Sequence, residues 1–194
     1  MKRIPCIAVA LSGLFFSHCT SKPDVEPALN YDQASQALMQ EVALQLVGTW
    51  KLRQVHVSYK RLSGHAFIPL TRDTLFQEFA TLLVQRAVAP RTSPEHPLYP
   101  EFQGTLTFRG KALPVYFQLI ANPEQVVKQQ GPQALFMLDT NFPAGSRTSG
   151  PEEDFMENLG LLRENFSLEL TSGQPTMIWR GLNHGVDRIE LQKQ

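Results

Sequence analysis

The sequence predicts a mostly β domain, an antiparallel barrel or sandwich with an N-terminal helix and one or two short additional helices. Three features predict it. Short segments of alternating apolar residues recur along the chain; fourteen prolines and twelve glycines are spread between them; and one helical pattern precedes the first strand.

The helix is expected over Tyr31–Leu46, with Asn30 as its cap and Gln33 at the reciprocal capping position. Ala34, Leu38, Val42 and Leu46 recur every four residues and predict its buried stripe. From Thr49 to Tyr59 the chain alternates as a strand, Trp50 and Leu52 on one face, then Val55, Val57 and Tyr59, with a phase change near Gln54 that calls for a bulge. Leu75 to Arg86 fits both periods; Glu78–Gln85 is read as strand. Leu106 and Phe108 are expected to pair across Arg109-Gly110-Lys111 with Leu113, Val115, Phe117 and Leu119. Pro123 starts a short helix with Gly131 past its end. Ser149-Gly150-Pro151-Glu152 starts another, with Phe155, Leu159 and Leu162 as its buried face. Phe166, Leu168 and Leu170, then Met177–Leu182, then Ile189 and Leu191 supply the closing strands.

At 194 residues with 42% apolar and 19% charged residues, the chain has the composition of one ordinary globular domain. Its formal charge is zero, and without residues 1–18 it has 16 basic against 18 acidic residues. That balance offers nucleic acid no basic face. Met1-Lys2-Arg3 and the apolar run Ile4–Phe16 have the form of an export signal, too short to span a bilayer comfortably. Cys6 and Cys19 are the only cysteines, so a chain beginning at Cys19 can hold neither an internal disulfide nor a cysteine-based metal site. The run ending at Phe16-Ser17-His18-Cys19 resembles the lipobox of bacterial lipoproteins, although His18 stands where that pattern prefers a small residue. The resemblance implies a signal peptide over 1–18, lipidation of Cys19, a flexible tether over 19–30 and a single domain over 31–194. Thr20, in place of the Asp that retains such proteins in an inner membrane, implies an outer-membrane location; Ser21–Glu26 also resembles a Lys-acidic surface-export signal.

Leu46-Val47-Gly48-Thr49-Trp50-Lys51-Leu52 carries a second resemblance. Gly-x-Trp opening a first strand after a short helix resembles the lipocalins and their bacterial lipocalin-like relatives. The resemblance implies that Gly48 permits a tight entry and that Trp50 packs at the closed end of a barrel. It also implies a basic side chain of the last strand over that ring, with Arg188 the first candidate and Arg180 the second.

Chemistry-bearing patterns are sparse. His56, His65, His96 and His184 lack the spacing of helix-borne metal ligands, so no metal or other cofactor is expected. Glu152, Glu153, Asp154 and Glu157 read as charges complementing a helix N-terminus rather than as paired catalytic carboxylates. Gly104–Ala112 lacks the hydroxyl and spacing of a phosphate loop, and no Gly-x-Ser-x-Gly elbow occurs. No nucleophile, base and oxyanion site can be assembled, so an enzyme is not expected. The resemblance instead implies a membrane-anchored protein whose barrel holds a small hydrophobic ligand, lined by Leu52, Leu106, Phe108, Val115, Phe117, Leu135, Met137, Leu168 and Trp179. The alternative is a non-enzymatic accessory subunit that docks on another cell-envelope protein. It would have a packed interior and an exposed apolar patch, expected on the loops Val88–Phe102 and Thr140–Gly150.

Overall fold

A computed structural model describes residues 29–62, 68–88, 99–142, 150–171 and 173–194. In chain order its elements are α1 (Tyr31–Leu46), β1 (Gly48–Val57), a 3-10 turn (Tyr59–Arg61), β2 (Thr74–Arg86), β3 (Glu101–Phe108), β4 (Lys111–Gln118), β5 (Ile120–Ala121), α2 (Pro123–Lys128), β6 (Ala134–Thr140), α3 (Pro151–Leu159), β7 (Glu164–Leu170), β8 (Thr176–Gly181) and β9 (Val186–Lys193). Every ladder is antiparallel. β1 pairs with β9 and β4 with β6, closing eight strands into a barrel rather than a sandwich; β5 extends the line of β4 along β6. No helix among the described residues is long and apolar enough to cross a membrane.

α1 runs over the expected residues, and the Asn30 side chain accepts from the Gln33 amide at 3.1 Å. Its buried face is Ser35, Met39, Val42, Ala43 and Leu46, while the predicted Ala34 and Leu38 are only partly buried. Apolar residues at 38, 39, 42, 43 and 46 make a broad stripe, and the four-residue repeat picked out one edge of it. In β1 the phase change is real: Leu52 faces Leu191 and Gln54 faces Glu190, leaving Arg53 as an extra residue against β9. On the other side Arg53 opposes both Glu78 and Phe79 of β2. Glu78 sits at φ 50 and forms ion pairs with Lys51 and, at 2.6 Å, with Arg53. β3 and β4 meet as expected, Leu106 against Leu113, across the turn Arg109-Gly110 with both residues at positive φ.

The barrel has two different ends. At one, α1 and α2 pack together beside the start of β1. At the other, α3 lies over the mouth. Its Phe155 stacks on Phe108 at 5.7 Å and meets Phe76 edge-on at 6.3 Å. The buried side of α3 is Glu153, Met156 and Leu159; Phe155 is half-buried, and the predicted Leu162 is buried beyond the helix end. Between the ends, rings fill the interior in a connected series, from Phe102–Phe117 (5.2 Å) through Phe117–Phe136 (5.2 Å) to Phe136–Trp179 (4.8 Å) and Phe166–Trp179 (5.7 Å).

Candidate functional site

Seven of the nine residues expected to line a ligand cavity face inward: Leu52, Leu106, Phe108, Val115, Phe117, Leu168 and Trp179 are all buried. They belong to one packed core with the ring series just described. Leu135 and Met137 do not belong to it. In β6 the inward residues are Ala134, Phe136 and Leu138, so Leu135 and Met137 point out of the barrel, and Met137 is 47% exposed. Ala134-Leu135-Phe136-Met137-Leu138 is apolar throughout, so the sequence contains no alternation from which to read the phase.

Gly48 and Trp50 meet a basic side chain of β9 beside α1, but not the one expected. Trp50 is 1% exposed, and its indole N–H donates to the Leu46 carbonyl at 2.7 Å, satisfying the last turn of α1. The cation over its ring is Lys193, with Nζ 5.3 Å from the centroid, and not Arg188. Arg188 lies five positions away on the outer face of β9, paired with Glu190 at 3.0 Å, and Arg180 is paired with Glu169 at 3.0 Å. Lys193 also donates to the Gln45 carbonyl at 2.7 Å. Gly48, at φ +134, leaves the room for it, since a Cβ there would lie 2.8 Å from Lys193 Cε.

The outward side chains of β6 line a groove that the sequence reading missed. β4 and β6 pair at Val115–Thr140 and Tyr116–Asp139. β5 and β6 resume the same register at Ile120–Leu135 and Ala121–Ala134. Residues 117–119 and 136–138 between them are unpaired across this seam, and the Leu119 amide turns to the Pro100 carbonyl at 3.0 Å. Over the seam lies a cavity of about 550 Å³, open on one side. Its apolar walls are Ile120 (45% exposed), Leu135, Met137 and Leu182 (47% exposed), with Phe136 and Phe166 on its floor. Tyr116, Gln118, Asp139, Asn165 and Asn183 supply the polar groups.

Behind Asn183 stands a carboxylate buried to 1% exposure, Glu164. It accepts from its neighbour's amide, Asn165 N, at 2.6 Å and from Asn183 Nδ2 at 2.8 Å, and it contacts His184 Nδ1. A buried carboxylate needs such partners. The β7–β8 pairing brings them together across some twenty positions, a separation no local motif encodes. The Tyr116 hydroxyl donates to Glu101, which is also buried. No group of three or more metal-ligating side chains occurs among the described residues. Cys19, His65, His96 and most of the two loops expected to carry a docking patch (89–98 and 143–149) lie outside the described residues. Comparison of the chain with models of known protein families, with curated proteins and with solved structures returns no match.

Proposed function

We propose that the protein is a lipid-anchored, lipocalin-like protein of the cell envelope that binds a small hydrophobic ligand in the groove on the barrel wall, not in the barrel interior. The observation that carries this reading is the 550 Å³ cavity walled by Ile120, Leu135, Met137 and Leu182. Its volume and its composition, mostly apolar with a few convergent polar groups, are those of small-molecule sites. The interior is a weaker candidate because its own rings already occupy it. The lipobox-like segment ending at Cys19 supports the anchor, in the outer membrane by its Thr20. Acyl chains, each methylene contributing about 0.8 kcal/mol when buried, would hold it there.

Titration of the full-length chain carrying Cys19→Ser with a hydrophobic naphthylamine dye tests the site. Saturable binding that is lost in Met137→Lys, with the circular dichroism unchanged, is the expected result. Dye binding indifferent to Met137→Lys and reduced by Leu106→Ala would return the site to the interior. Intact mass of the wild type from membranes tests the anchor; an unmodified Cys19 would refute it.

A second reading has its own observation. A packed interior with exposed Ile120, Met137 and Leu182 on one stretch of wall also suits an accessory subunit docking on an envelope protein. Absence of saturable small-molecule binding would favour it.

A further inference from the structure

The groove is polarised along the strands, and its polarity specifies the kind of ligand. This inference rests on the ligand-binding reading above. Toward the α3 end of the barrel its first row of outward side chains is Tyr116 and Asp139, paired across the seam. The next row holds Met137 and Asn165, opposite each other in the β6–β7 ladder, with Gln118 across the seam; Asn183 and Leu182 flank Asn165. The row toward the α1–α2 end is Ile120 and Leu135, a pair of the β5–β6 ladder. Polar groups are therefore concentrated at one end and apolar ones at the other. From Asp139 to Leu135 the strand covers about 13 Å at the ordinary rise per residue.

The polar end has a definite hydrogen-bonding character. Asp139 is its one charged wall residue. It accepts from the Thr140 amide at 2.7 Å and stands 3.9 Å from Arg163, whose guanidinium is held closer by Glu157, at 3.2 Å. The Asn183 Nδ2 is committed to Glu164, which leaves its carbonyl oxygen as the acceptor toward the groove. The carboxylate of Asp139 on the groove wall opposes a second carboxylate there. Gln118 and Asn165 add side-chain amides to the wall beside Met137.

We infer that the groove takes a single-chain amphiphile with an uncharged, hydroxyl-bearing head of the monoacylglycerol type. The head donates to Asp139 and to the Asn183 carbonyl oxygen, and the chain lies over Met137 toward Ile120 and Leu135. The test is displacement of the naphthylamine dye from the full-length Cys19→Ser chain at neutral pH by glycerol monodecanoate and by decanoate, matched in chain. The ester is expected to bind about tenfold tighter, a difference of about 1.4 kcal/mol. Asp139→Asn, which removes the repelling charge, should bring the two within about twofold. Equal affinities in the unsubstituted groove, or tighter binding of decanoate, would overturn the head assignment and leave the groove reading standing. Failure of the dye to bind saturably would overturn both.

Discussion

Gly48, Trp50 and Lys193 form one device in which each residue makes the next possible. The missing Cβ of Gly48 admits the Lys193 stem, and the ammonium then reaches the Gln45 carbonyl and the Trp50 ring. α1 has no basic residue in its own last turn, so β9 supplies the cation that its C-terminal dipole favours. Lys193→Met should lower stability by about 1–2 kcal/mol through loss of both contacts. Gly48→Ala should cost at least as much, because it adds backbone strain to the same loss. Urea unfolding midpoints at constant slope would measure both, and a double variant much less destabilised than the sum would show that they act as one. Trp50 was legible because glycine two residues before a tryptophan at a strand start is a local pattern. Lys193 was not. Arg188 and Lys193 stand five positions apart on opposite faces of β9, and which basic residue lies beside Trp50 depends on register, which no short motif records.

The elements show where periodicity suffices. Strands that alternate, such as β4 with its Leu113, Val115 and Phe117, announced both their existence and their orientation; β6 is apolar over its first five residues and announced neither. The groove was missed for the same reason, since its walls are the outward residues of β6. The bulge in β1 was legible as a phase change, but its counterpart in β2 was not, because Glu78 in the left-handed region has no marker such as glycine. The Glu78 carboxylate is paired with Lys51 and Arg53. Its pKa lies below its ordinary value of 4.5, first because of the Lys51 hydrogen bond, which desolvation opposes and the Arg53 and Lys51 charges reinforce. A lowered carboxyl stabilises the fold above its unfolded value, and that contribution disappears as pH falls through the folded one. Stability measured from neutral to acid should therefore fall more steeply below about 4.5 in the wild type than in Glu78→Gln. Parallel curves for the two proteins would show that this ion pair is idle.

At the scale of the whole molecule, the antiparallel barrel emerged from strand count and turn spacing, but its contents did not. Alternating apolar residues describe a hollow barrel and a filled one equally well, and only the meeting of Phe117, Phe136, Phe166 and Trp179 distinguishes them. Those rings come from four strands spread over more than sixty residues. A filled barrel moves the opportunity for binding outward, to the seam where β4 and β6 lose their pairing.

The pairing of β1 with β9 also determines when the barrel can close. Every other ladder joins strands that are near neighbours along the chain, so those can form by short loop closures. β1 and β9 must instead find one another across the whole meander, Trp50 against Lys193, and this costly search comes late. The two tryptophans stand on opposite sides of that event: Trp179 lies in the β7–β8 and β8–β9 hairpins, Trp50 at the closure itself. In stopped-flow refolding, Trp179→Phe leaves Trp50 as the sole reporter and should show its emission change only in the slowest phase. Trp50→Phe should reveal an earlier change from Trp179. Identical time courses would mean that the meander and its closure form in a single step.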